Sequence, residues 1–190
     1  MGAFYTNISL CGPSQEIVAD SLRRRDREAY VSPSIGGALV VYDRECEEQN
    51  QEIMARLTSE LSKELQCPAL VILIHDDDIL WYQLYEKGKL VDEYDSCPSY
   101  FDPEAELSSP VGGNAETLCS TFGGEDISAV EYILRRSSFE DDGYTFATER
   151  HIDLARAAGL PQFSVGCGYD SIEYGELPDG LEKEQLVSVK

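Results

Sequence analysis

The sequence predicts an α+β fold: a ferredoxin-like βαββαβ sandwich extended by a β-hairpin and followed by a mainly helical C-terminal region. Three observations lead there. The chain opens on a period-two strand that a Gly-Pro pair stops before a helix. It continues to a stripe of apolar residues four apart, then to a β-rich run apolar on both sides, followed by two strand-like segments around Lys87-Gly88. Length and composition agree, since 190 residues that are 42% hydrophobic can bury one sizeable core. The aromatic share of 9%, with eleven tyrosines, argues against disorder.

Phe4, Thr6, Ile8 and Leu10 alternate with Tyr5, Asn7 and Ser9, so this stretch reads as a strand up to Gly12-Pro13. Ser14 is placed to cap a helix from about Gln15 to about Ala29, with Ile17, Val18 and Leu22 inward and Arg23, Arg24, Arg25 and Arg27 on the wet side. Tyr30-Val31 and Ala38 to Tyr42 read as strands around a turn of Pro33 and Gly36-Gly37. After Asn50, another cap, Ile53, Leu57, Leu61 and Leu65 form one helical stripe with Met54 beside it. Ala69 to Ile74 reads as a central strand buried on both faces. Ile79 to Tyr85 and Leu90 to Tyr94 form a hairpin, and neither of its faces is clearly polar, so the C-terminal half is expected to cover the second face.

Residues 1–95 are thus the ferredoxin-like α+β domain, 96–113 a Pro- and Gly-rich connecting segment, and 114–190 a mainly helical region packing on the sheet. Helices are expected at Ala115 to Phe122, Ile127 to Arg135 and Glu149 to Ala158, with an irregular, Gly-rich end.

The formal charge is −21, from 36 acidic and 15 basic residues, and it is spread along the chain: −9 over residues 1–100 and −12 over 101–190. Such a field repels phosphate backbones and anionic lipid while steering cations inward, so a basic protein is the expected partner and nucleic acid and membranes are not. Cys11, Cys46, Cys67, Cys97, Cys119 and Cys167 lack any CxxC pair and read as reduced thiols. The N-terminus has no basic start before an apolar stretch, so a cytoplasmic location is expected.

Three groupings carry the chemistry worth testing. His75-Asp76-Asp77-Asp78 offers donors for Mg²⁺ or another divalent ion, with His75, Asp76 and Asp78 as candidate ligands and Asp92, Glu93 and Asp95 as neighbours on the hairpin partner; successive strand residues point to opposite faces, however, and an acidic turn is the simpler reading. Trp81, Tyr82, Tyr85, Tyr94, Tyr100 and Phe101 form the densest aromatic group, in which Trp81, Tyr82, Tyr85 and Tyr100 are the candidate binding residues. Cys11, just before a helix, is the candidate reactive thiol, although only His75 and His151 exist as bases and His151 reads as a packing residue. Phosphate-loop, GxSxG and HExxH signatures are absent from the sequence, and the faint helix-turn-helix echo around Leu154 to Gly159 is broken by Pro161, Gly166 and Gly168.

Residues His75 to Gly88, Tyr94 to Phe101, Glu149-Arg150-His151 and Gly168 to Glu176 together resemble an uncharacterised group of bacterial proteins. The resemblance implies a bacterial cytoplasmic origin and brings no activity, cofactor or catalytic residue with it. The function expected is therefore a non-catalytic acidic protein, of inhibitor or immunity type, that binds a basic macromolecule without a cofactor. A divalent-metal-dependent hydrolase built on His75 and Asp76 to Asp78, and a small-molecule-sensing domain, are the alternatives.

Overall fold

The computed structural model describes residues 2–102, 104, 106, 108–138 and 142–190. Its elements in chain order are β1 (Tyr5–Cys11), α1 (Gln15–Arg24), β2 (Ala29–Val31), β3 (Ala38–Asp43), α2 (Arg44–Glu47), α3 (Gln51–Leu65), β4 (Pro68–His75), β5 (Ile79–Glu86), β6 (Lys89–Asp95), β7 (Val111–Gly112), α4 (Ala115–Phe122), α5 (Ile127–Arg135), α6 (Ala147–Ala158), α7 (Tyr169–Glu173) and β8 (Val187–Val189). The protein is α+β, with one eight-stranded sheet in the order β7-β6-β5-β4-β1-β3-β2-β8 and every neighbouring pair antiparallel. Two connections are split: the chain passes from β1 through α1 to β2 with β3 between them, and from β3 through α3 to β4 with β1 between them. Among the described residues no helix is long and apolar enough to cross a membrane.

Local chemistry sets the element ends. The Ser14 hydroxyl accepts from the Ile17 N–H at 3.5 Å, and Asn50 Oδ1 accepts from both Glu52 and Ile53 at 3.0 and 3.2 Å, occupying donors that a helix start leaves free. Asn114 and Asp126 do the same for α4 and α5. The hairpin between β5 and β6 turns on Lys87 and Gly88 with φ of 52° and 79°, the mirror-image geometry that matches strand twist. At Gly88 a Cβ would also meet the Lys63 Cβ at 2.7 Å, so glycine is required twice over.

Burial on both sides explains why the strands read as apolar on both sides. One face packs Ile8, Leu10, Val41, Val71 and Leu73 against Val18 and Leu22 of α1 and Leu57 and Leu61 of α3. The other face packs Tyr5, Ile72, Leu80, Tyr82 and Leu84 against Leu118 of α4, Val130 and Leu134 of α5 and Leu154 of α6. The C-terminal helices thus cover the second face, and the sheet is the middle of three layers.

The structure corrects several expectations. Helix α1 stops at Arg24, well before Ala29, because Asp26 takes a left-handed φ of 53° and turns the chain into β2. Ile17 lies outside the buried face of Val18, Ala19, Ser21 and Leu22 and is 55% exposed. Arg27 leaves the wet side altogether and is buried against Asp43. The segment 96–113 supplies edge strand β7, and the end expected to be irregular forms α7 and β8, the latter closing the opposite sheet edge on β2.

Candidate functional site

A hollow lies on the α3 face of the sheet, beside the start of α3 at Gln51. The floor there is made by largely buried residues that strand register sets side by side: Leu73 pairs with Trp81, and Trp81 pairs with Asp95. Over this floor lies a cavity of about 560 Å³, walled by Glu48 and Gln49 before α3, by Gln51 at its first turn, and by Cys97, Pro98 and Phe101 after β6. A second hollow of about 420 Å³ shares Trp81, Asp95 and Pro98 and runs on past Glu93 to Val111 and Gly112. Together they form one groove centred on Trp81, the chain's single tryptophan.

The groove has one electrostatic sign. Glu48, Glu93 and Asp95 line it, and no lysine or arginine does among the described residues. Burial raises the Asp95 carboxyl above its ordinary range, although Oδ1 accepts from the Cys97 N–H at 2.9 Å, which works the other way. His75 enters through a relay that fixes its proton. The Gln49 amide nitrogen donates to the Ile74 carbonyl at 2.7 Å, so its oxygen faces His75 Nδ1 at 2.7 Å and must accept from it. In the neutral imidazole that places the proton on Nδ1 and leaves Nε2 as the free acceptor. Phe4 and Phe101 hold the ring edge-on, with centroids 4.8 and 5.1 Å away.

The acidic turn that suggested a metal is spent on structure. Asp76 and Asp77 have φ of 50° and 58°, and the three carboxylates fan out. Asp76 accepts from the Gly2 N–H at 3.0 Å, Asp77 from the Thr148 N–H at 2.8 Å, and Asp78 from the Tyr100 hydroxyl at 2.6 Å. Asp77 also accepts from the Ala147 N–H through its carbonyl at 2.6 Å, so it serves the start of α6, where Phe146 has no capping side chain. Among the described residues no three His, Cys, Asp or Glu side chains converge as a metal site would require.

The aromatic group divides between the two faces. Tyr82 is fully buried under the C-terminal helices, stacked on Tyr94 at 5.4 Å, with its hydroxyl donating to Asp92 at 2.7 Å. Tyr85 is buried and donates to Gln83 at 2.7 Å, while Tyr100 is committed to Asp78. Of the four, Trp81 alone lines the groove. The Cys11 thiol donates to the Thr121 carbonyl at 3.6 Å, and burial pushes its pKa up to about 12, opposite to the shift a nucleophile needs. His151 is more deeply placed than the half-buried packing residue expected, with no exposed surface at all.

Glu48 and Gln49 carried no signal in the sequence, whereas Asp95 read as a neighbour of the His75 turn and Phe101 as one of the aromatic group. The four come from two loops and a strand end, and tertiary structure assembles them. No protein-family model matches the chain, and neither does any curated protein or solved structure.

Proposed function

We propose that the chain is a non-catalytic binding protein for a basic macromolecular partner, docked through the groove over Trp81. The observation that carries this reading is the groove's lining: three carboxylates with no lysine or arginine among the described residues, on a chain of charge −21. An anionic, aromatic-floored hollow attracts a cation both at long range and in contact. The reading adopts a ferredoxin-like identity for the βαββαβ core, supported by the β4-β1-β3-β2 order and its two split connections. It also keeps the bacterial origin and the cytoplasmic location, the latter supported by six unpaired thiols.

A salt-graded pulldown from the source cell tests it, followed by calorimetry on each purified candidate. The expected result is a saturable, stoichiometric complex with a basic protein whose affinity falls as salt rises. Recovery of nothing at low salt, or of acidic proteins alone, would remove the reading.

A small-molecule-sensing role is the second reading, favoured by the cavity volume of about 560 Å³, which is the size of ordinary ligand pockets. The metal-dependent hydrolase has less to stand on, because Asp76, Asp77 and Asp78 each serve a different partner. A panel of divalent ions is expected to leave the thermal midpoint unchanged, and Asp76→Ala with Asp78→Ala to lower it equally with and without metal. A metal-induced rise that the double variant abolishes would restore the hydrolase reading.

A further inference from the structure

We infer that the groove takes an arginine side chain of a basic protein partner, its guanidinium held against Trp81 by Asp95 and His75. This rests on the reading of the chain as a binding protein for a basic partner. It adds which cation is recognised and by which atoms.

Glu48, Glu93 and Asp95 carry acceptors and no donors when ionised. The Gln49 amide is consumed at both ends, by the Ile74 carbonyl and by His75. That same relay leaves the neutral His75 ring with a lone pair at Nε2, which makes no hydrogen bond among the described residues. The charged and tautomer-fixed groups lining the groove therefore ask for a ligand that brings donors. A guanidinium supplies five N–H donors and no acceptor, in a rigid plane.

Trp81 separates arginine from lysine. It is mostly buried and forms the floor common to both hollows, so an occupant meets an indole and the side chains of Leu73 and Ile79 where water would otherwise sit. A guanidinium is weakly hydrated and stacks on an aromatic plane, whereas an ammonium holds its water tightly. Asp95 stands beside Trp81 by strand register, and its burial makes a counter-charge there worth more than one at an open surface. A second copy of this chain is a poor occupant, since it would bring −21 more charge.

The single tryptophan gives a local readout. An arginine-containing peptide, its citrulline counterpart and its lysine counterpart are titrated into the full chain while Trp81 emission and calorimetric heat are followed together. The arginine peptide is expected to shift Trp81 emission and saturate. The neutral citrulline peptide should bind about tenfold or more weakly, and lysine should fall between them. Asp95→Asn should lose about tenfold for arginine while keeping the oxygen that accepts from Cys97, and Glu48→Gln, at an exposed site, should lose less.

Equal binding of arginine and citrulline overturns the inference. So does calorimetric saturation with unchanged Trp81 emission, or affinity untouched by both substitutions. If the pulldown partner still binds Asp95→Asn at full strength, the arginine subsite falls and the basic-partner reading stands. If no basic protein binds at all, both fall.

Discussion

Arg27→Met is expected to cost about 3–5 kcal/mol of folding stability, the range found when one member of a buried ion pair is removed. The reason lies in what is left behind. Asp43 has no exposed surface, and Arg27 Nε donates to its Oδ2 at 2.9 Å while the guanidinium's NH2 group bonds its Oδ1. Burial alone would lower the Arg27 pKa, but the Asp43 hydrogen bond and charge outweigh it, and the pKa lies above the ordinary arginine value. Methionine fills similar space and supplies no charge, so Asp43 would stay buried as a lone anion. The same carboxylate accepts from the Cys46 N–H at 3.0 Å and caps α2, so relaxing it towards water would also open the start of that helix. Arg27→Met combined with Asp43→Asn removes the charge and keeps the capping oxygen, and should recover most of the loss. Urea unfolding of the two variants decides the matter. A single-variant loss below about 1 kcal/mol at unchanged m-value would show that solvent already reaches the pair.

This ion pair also marks where the sequence stops being legible. Four consecutive-looking arginines, Arg23 to Arg25 and Arg27, read as one wet helix face, and three of them do sit at the helix end. The fourth is reversed by the left-handed turn at Asp26, a position where glycine would have announced the break and aspartate did not. Helices α4 and α5 were readable to the residue, because Asn114 and Asp126 are explicit caps and Gly123 closes α4. Strands β7 and β8 were not, since two- and three-residue edges carry no period to detect. The candidate site was legible at Trp81, His75 and Phe101. Asp95 read as an acid near the His75 turn, and only the Trp81 pairing puts it on the groove floor, while Gln49 acts through a left-handed backbone (φ 58°) between α2 and α3 that its residue type does not advertise.

Acid titration should expose two buried groups that pull in opposite directions. His151 has no exposed surface. Tyr5 donates to its Nδ1 at 2.8 Å, and Nε2 lies 3.3 Å from the Ser164 hydroxyl, which itself donates to the Pro161 carbonyl at 2.7 Å. The neutral imidazole is thus fully partnered, and burial pushes its pKa from 6.5 down to about 3. The folded form then lacks a proton that the unfolded chain binds below pH 6.5, so the stability that His151 contributes is complete above 6.5 and drains away as the pH falls towards 3. The limiting slope is about 1.4 kcal/mol per pH unit, or roughly 4–5 kcal/mol across that window. Glu47 does the reverse. Burial raises its pKa from 4.5 to about 7, against hydrogen bonds from the Thr6, Tyr169 and Asp170 N–H groups, so the folded state holds a proton there that the unfolded chain lacks. Its contribution grows as the pH falls from 7 to 4.5. Between about 4.5 and 6.5 the two slopes cancel, and the protein should show nearly constant stability there before failing below 4.5, where His151 acts unopposed. Glu47→Gln should therefore reveal a decline that begins near pH 6.5, and His151→Gln should flatten the acid limb; urea midpoints measured from pH 8 to about 3.5 separate the variants. Parallel curves for the native chain and Glu47→Gln would mean that the carboxylate titrates alike folded and unfolded, and the compensation would not exist.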